Sequence, residues 1–424
     1  MRITVTPGRL CGTLAAPPSK SMAHRALICA ALAEGESRLT NLSDSEDITA
    51  TRRALTLLGA KFAPEGANAL RVAGTGGRVA APEVPVDCGE SGSTLRFLIP
   101  VFARCGKPVF FTGHGRLMQR PQTVYAELFG ACCIPFSHTE EHIRVYGALP
   151  AGSYRVRGDV SSQFLSGLLF ALPLARAESV LHILPPFESR SYIALTLAAL
   201  ADFGVTARFA SEDTICINGS QKYAPCCYTV EGDYSQAAFL AVLGALCGGV
   251  TVTGLRPDTR QGDAVILDIL ARCGAHFTRA GDTVTFAKSA MRGTQIDLAD
   301  CPDLGPVLMV LGTLCAGETK IINAARLRLK ESDRIEAMEA ELRKLGAHIA
   351  STPDTVTVCG GALHEAHDLC GHNDHRVVMA LAVAALGAGV PATICGAEAV
   401  RKSWPGFFAD LRTLGAQAAE RAEE

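Results

Sequence analysis

The chain has 424 residues, a formal net charge of −2 and 48% apolar residues. That length supports two or three domains with a large core. The near-neutral charge, without a long block of one sign, gives no global pull toward nucleic acid or a membrane surface, so neither is expected as a partner.

In chain order, the opening MRITVTPGRL alternates apolar and polar residues as a strand does, and holds no apolar run suited to export. A cytoplasmic location is expected. PPSKSMAHRALICAAL, Pro17 to Leu32, then sets two cations and two serines at the mouth of an apolar helix. A helix start is the positive end of its dipole, so cations there are unfavourable unless an anion sits in front of them. The later apolar run VVMALAVAALGAGV, Val377 to Val390, is shorter than the roughly 18–20 residues of a membrane span and reads as a core helix. The closing QAAERAEE is expected to fray.

The same sentence of structure is spelled six times. ALTLLGAKF, AELFGACCI, ALADFGVTA, ILARCGAHF, ELRKLGAHI and DLRTLGAQA each end a helix with glycine and begin a strand. Their glycines, Gly59, Gly130, Gly204, Gly274, Gly346 and Gly415, are spaced by 71, 74, 70, 72 and 69 residues. Glycine suits the left-handed position that closes a helix. A second apolar helix lies upstream of each and ends near Gly35, Gly106, Arg176, Gly248, Gly317 and Gly389. Fourteen residues before these positions stand Ser21, Gly92, Ser162, Tyr234, Asp303 and His375, all in clusters rich in capping residues. A helix that is apolar all round must be buried, and one repeat cannot cover it alone. The expected architecture is therefore α/β, with two similar globular domains of three pseudo-symmetric repeats each. Parallel helices are buried inside, with their N-termini on one side, and β-sheets lie outside. An open solenoid is the alternative.

Seven cations fall near the helix starts or on neighbouring loops: Lys20, Arg25, Arg120, Lys330, Arg334, Arg376 and Lys402. Each alone could be a solvated surface charge. Together they call for several negative charges. No Walker loop is present, so helix ends and cations would hold a phosphate without magnesium. Two acids stand among them. Asp303 in CPDLGP reads as an N-cap and Glu331 in LKESDR as an ion-pair partner, and a carboxylate at such a cationic mouth could also take or deliver a proton. The sixteen cysteines include no Cys-x-x-Cys spacing; Cys29, Cys105, Cys247 and Cys315 read as small buried apolar side chains. No metal is expected.

PPSKSMAHRALICAAL, GESGSTLRF, GRLMQRP, GDVSSQFLSGLL, LRLKESDRI, NDHRVVMA and RKSWPGF occur in this order along almost the whole chain. Together they resemble the EPSP synthase family of enolpyruvyl transferases. The resemblance implies that family's inside-out α/β barrel fold, with residues 1–18 and 232–424 in one domain (repeats four to six) and 19–231 in the other (repeats one to three). It also implies transfer of the enolpyruvyl group of phosphoenolpyruvate to the 5-hydroxyl of shikimate 3-phosphate, releasing phosphate, in chorismate and aromatic amino-acid biosynthesis. No cofactor is implied, and a monomer is expected.

By the same resemblance, shikimate 3-phosphate would be held by Lys20, Ser21, Arg25, Ser161, Ser162, Gln163, Ser189, Tyr192, Asp303 and Lys330. Phosphoenolpyruvate would be held by Lys20, Gly92, Arg120, Gln163, Arg334, Arg376 and Lys402. Asp303 would take the proton of the 5-hydroxyl, Glu331 would protonate C3 of the enol, and Lys20 would share proton transfer. The chain departs from the family's pattern at Glu90, Ser93 and Arg326, where Asn, Thr and Asn are usual or common. Two rivals are a UDP-N-acetylglucosamine enolpyruvyl transferase, whose start pairs Lys with Asn where this chain has Lys20-Ser21, and a non-catalytic anion-binding relative.

Overall fold

The computed structural model describes residues 1–421. It contains two compact units: a middle unit, Pro18–Val230, and a terminal unit made of Met1–Pro17 with the chain from Glu231 onward.

Each unit carries three four-stranded sheets, and all six sheets share one plan: a parallel pair followed by two antiparallel pairings. In the second repeat Val86–Asp87 runs parallel to Val109–Thr112, which pairs antiparallel with Ile143–Val145, itself antiparallel to Phe136–His138. The first repeat obtains its parallel partner from the far end of the middle unit, Cys227–Thr229 beside Glu36–Thr40. The terminal unit closes in the same manner. Gly12–Ala15 runs parallel to Val250–Thr253, and Arg2–Thr6 sits between Ala392–Cys395 and Gln417–Arg421. Along these strands burial alternates; Arg2–Thr6, for example, turns Ile3 and Val5 inward.

Six helices are buried nearly all round: Lys20–Leu32, Gly92–Phe102 and Ser162–Ala171 in the middle unit, and Tyr234–Cys247, Gly305–Leu314 and His375–Ala388 in the terminal one. Five start at a residue whose side chain accepts from the first turn: Ser19, Ser91, Ser161, Asp233 and Asp374. The fifth repeat enters instead through a 3₁₀ turn, Pro302–Leu304. In the terminal unit Arg376 donates to Ser235 Oγ and to Asp303 Oδ2, so three core helices begin side by side. In the middle unit Gln163 Nε2 donates to Ser93 Oγ, joining two helix starts. Within each unit, then, helix starts gather on one side.

Three expectations need correction. Gly59, Gly204, Gly274, Gly346 and Gly415 adopt positive φ, but Gly130 does not. It stays inside the Thr123–Ala131 helix, and the left-handed residue is Cys133, at φ 54°. Gln417–Arg421 is not frayed, because its edge pairs with Arg2–Thr6; the last three residues of that tail lie outside the described residues. Of the four cysteines read as core, Cys29 and Cys315 are buried while Cys105 and Cys247 are half-buried at helix ends. Among the described residues no cluster of metal-ligating side chains occurs, and no helix is long and apolar enough to cross a membrane.

Candidate active site

In the terminal unit, the centre of charge is Asp303. The sequence allowed an N-cap, yet Asp303 lies inside the Pro302–Leu304 turn, whose N-cap position is Cys301, and its carboxylate meets cations. Lys330 Nζ lies 3.0 Å and Arg334 Nη1 3.3 Å from Oδ1, and Arg376 Nη2 3.1 Å from Oδ2. Arg334 is 1% exposed and also reaches Glu331 Oε2 at 2.8 Å and Asp374 Oδ2 at 2.8 Å. Such a cation is tolerable in a dry setting only because carboxylates surround it. Burial works against the Asp303 charge, but Arg376, Lys330 and Arg334 outweigh it and hold the carboxyl well below its ordinary range. Burial pushes the Lys330 amine down to about 8, against the pull of Asp303 and with help from Arg334 and Arg326.

A turn supplies the rest of this cluster. His372 and Asn373 both take positive φ, at 50° and 51°, a strained pair that delivers Asp374 to Arg334 and to the backbone N–H of Arg376. Lys402 Nζ donates to the Asn373 carbonyl at 2.5 Å. On the far side of the turn, buried Glu341 accepts from His372 Nε2 at 3.0 Å, Lys344 Nζ at 2.9 Å and Cys370 N–H at 2.9 Å.

In the middle unit, Lys20 Nζ pairs with Asp47 Oδ2 at 2.7 Å. Arg25, 2% exposed, donates to Thr196 Oγ1, Ser21 O and Tyr192 O at 2.9, 2.7 and 3.0 Å. Phe97 lies under it, 5.2 Å from ring centroid to guanidinium carbon. Ser189 is buried at φ 55°, just before the half-buried Tyr192. At the next helix start, a Cβ on Gly92 would stand 2.6 Å from Arg120 Nη1, so the bare backbone and that guanidinium share one space. Arg120 is buried, and its Nε has no hydrogen-bond partner among the described residues. Ser161 caps the third core helix at Gln163 N–H, and the Gln163 side chain bridges Ser93 and Arg96. Ser162 is buried beside them. Arg25 thus lies among neutral partners, whereas Lys330, Arg334 and Arg376 are already compensated by carboxylates.

The sequence-expected residues therefore fall into two groups. Asp303, Lys330, Glu331, Arg334, Arg376 and Lys402 gather in the terminal unit. Lys20, Ser21, Arg25 and Tyr192 form one cluster of the middle unit, while Gly92, Arg120 and Gln163 line the starts of its other core helices. Sequence reasoning passed over Asp47, Asp374, Ser235 and Arg96. For Asp47 a signal existed in the repeat: first-helix starts pair with residues 27 positions on, as in Lys20–Asp47, Tyr234–Gln261 and Lys330–Asp303. The residue types differ, so the offset shows only after the repeats are superimposed.

The family model for EPSP synthase (3-phosphoshikimate 1-carboxyvinyltransferase) matches residues 5–411. The chain belongs to the EPSP synthase family. The 3-phosphoshikimate 1-carboxyvinyltransferase of Clostridium kluyveri is 43% identical over 418 residues, covering 98% of this chain and 97% of its own length. That of Clostridioides difficile is 39% identical, covering 97% of each. Among solved structures, EPSP synthase from Acinetobacter baumannii superimposes with a TM-score of 0.81 at 25% identity, over 99% of this chain and all of its own. The enolpyruvyl transferase NikO from Streptomyces tendae shares the fold, with a TM-score of 0.80 at 19% identity, over 99% of this chain and 98% of its own. This membership makes the chain a carboxyvinyltransferase with the two-domain enolpyruvyl transferase fold.

Proposed function

We propose that the chain transfers the enolpyruvyl group of phosphoenolpyruvate to the 5-hydroxyl of shikimate 3-phosphate with Asp303 as base and Glu331 as acid. The observation that carries these roles is the Asp303 carboxylate held among Lys330, Arg334 and Arg376, inside a chain matched to the family over residues 5–411. So pinned, Asp303 is a poor base. Phosphate and carboxylate groups of arriving substrates compete for the same cations, and as they do so the Asp303 carboxylate recovers proton affinity. Basicity then appears when substrate is bound. As phosphoenolpyruvate takes over Arg334, 2.8 Å from Glu331, the released carboxylate takes up a solvent proton and delivers it to C3; C2 becomes electrophilic, and the 5-hydroxyl attacks it while its proton passes to Asp303. Return of a C3 proton to Glu331 and departure of phosphate complete the exchange. Lys20 neutralises developing phosphate charge. Orientation of two substrates supplies much of the rest.

Shikimate 3-phosphate is assigned to Lys20, Ser21, Arg25, the Ser161–Gln163 run, Ser189, Tyr192, Asp303 and Lys330; Arg25 would act largely by fixing the Ser21 and Tyr192 backbone. Phosphoenolpyruvate is assigned to Lys20, Gly92, Arg120, Gln163, Arg334, Arg376 and Lys402. We assign the two compact units to the family's two domains and place the enzyme in the cytoplasm as a monomer. The roles are tested by Glu331→Gln and Asp303→Asn. With both substrates present, Glu331→Gln is expected to slow solvent deuterium entry at C3 at least about a hundredfold, roughly 2.7 kcal/mol of barrier. Asp303→Asn should slow product formation as much. Exchange at the native rate in Glu331→Gln removes that residue as the acid.

A further inference from the structure

The middle unit also holds a buried histidine that the chemistry above does not use. His24 lies in the first turns of the Lys20–Leu32 helix, is 1% exposed, and sets Nδ1 2.7 Å from Thr51 Oγ1. Thr51 Oγ1 lies 2.6 Å from Thr94 Oγ1, and Thr94 donates its hydroxyl to Ser91 Oγ at 2.8 Å. Ser91 is the N-cap of Gly92–Phe102, accepting from Thr94 N–H at 3.1 Å. A hydroxyl has one hydrogen to give. That of Thr94 goes to Ser91, so Thr51 must donate to Thr94. The hydrogen of Thr51 is then spent, and the bond to His24 requires a proton on Nδ1. Nε2 is left as a bare lone pair, and among the described residues it has no hydrogen-bond partner. Burial, and then Lys20 and Arg25, hold the imidazole well below its ordinary value, which keeps it neutral. A chain of bonds with one direction runs from the helix of Lys20 to the cap of the helix that begins at Gly92.

We infer that His24 is a positioning residue whose Nδ1–H orders Thr51, Thr94 and Ser91 and so fixes the Gly92 helix start against which phosphoenolpyruvate binds. The inference rests on the assignment of Gly92 to phosphoenolpyruvate made above. Leaving buried Nε2 unbonded costs free energy, and the ordered cap is what that cost sustains. With a proton on Nε2 instead, Thr51 would have to donate to His24, and Thr94 would lose the donor that now sets its hydroxyl toward Ser91.

Two measurements test it. Imidazole ¹⁵N resonances of the unliganded wild-type enzyme at neutral pH are expected to show a protonated Nδ1 and a bare Nε2 for His24; the opposite tautomer overturns the inference. In kinetics, Thr51→Val and His24→Leu are each expected to raise KM for phosphoenolpyruvate about tenfold, the size of one lost buried hydrogen bond. Both should change kcat and KM for shikimate 3-phosphate less than about threefold. His24→Asn, whose amide N–H can take the place of Nδ1–H, should restore KM to within about threefold of wild type. An equal rise in both KM values, or no rise, overturns the inference, as does His24→Asn behaving like His24→Leu. Should His24→Leu not fold, Thr51→Val and the wild-type tautomer decide. A wild-type enzyme with the expected tautomer but no turnover of these substrates would contradict the proposed function and leave the hydrogen-bond chain standing.

Discussion

At Gly92 a single added methyl group has a readable consequence. Its Cβ would stand 2.6 Å from Arg120 Nη1 and 3.0 Å from Cζ, both at the far end of a flexible side chain. The guanidinium can swing away, so Gly92→Ala is expected to fold with a stability change under about 1 kcal/mol. Arg120 would then be displaced from the assigned phosphoenolpyruvate site. KM for phosphoenolpyruvate should rise at least about tenfold, while KM for shikimate 3-phosphate stays within about threefold. Steady-state kinetics beside a thermal melt checks both halves. A second prediction concerns pH. With its amine pushed down to about 8, Lys330 is charged below that pH and increasingly neutral above it. A phosphorylated substrate that needs the charge should bind less tightly as pH rises past about 8, with KM for shikimate 3-phosphate climbing up to about tenfold per unit. Lys330→Arg, charged throughout, should flatten that rise. Lys20, Asp303 and Glu331 were legible because motif and charge coincide at helix mouths. Asp47 and Asp374 were not, since an acid near a helix start looks like any other cap until its cation is seen.

Elements show the same division between pattern and partner. The glycine spacing and the count of fourteen residues back to cap-rich clusters located all six core helices, and five of the N-caps are the Ser or Asp residues that caps favour. Gly130 misled because the second repeat runs its helix on to Ala131, leaving Cys133 to take the left-handed turn. The 370–376 turn was legible only as a motif. Its two successive positive-φ residues are held by Glu341 on one side and by the Arg334–Asp374 pair on the other. Asp374 is fully buried; burial opposes its charge, but Arg334 more than offsets this, so its carboxyl sits below the ordinary range. Asp374→Asn breaks that buried pair and is expected to cost about 3 kcal/mol in urea unfolding. A loss under about 1 kcal/mol would mean that Glu331 and Asp303 alone satisfy Arg334.

On the scale of the whole molecule, each unit closes on itself with a strand from elsewhere in the chain. Arg2–Thr6 is interior to its sheet, bonded on both edges, so its removal strips two ladders at once and uncovers apolar residues of the sixth repeat. Deletion of residues 1–16 should therefore prevent the terminal unit from folding, seen as loss of its cooperative transition in calorimetry. The six-fold repeat was visible in the spacing of glycines, and the opening strand in its alternation; the partners of the borrowed strands were not, because three to five residues of β-rich chain carry no mark of their partner. The repeat also explains the placing of charge. Core helices that start together on one side of each unit focus positive dipole ends there, and the cations beside them suit substrates that each carry a phosphate and a carboxylate.

The most direct test of the account is phosphate release from phosphoenolpyruvate by the purified wild-type protein, with and without a second substrate. Release should require shikimate 3-phosphate and should yield one enolpyruvyl product per phosphate. Release that proceeds instead with UDP-N-acetylglucosamine, or with neither acceptor, would contradict it.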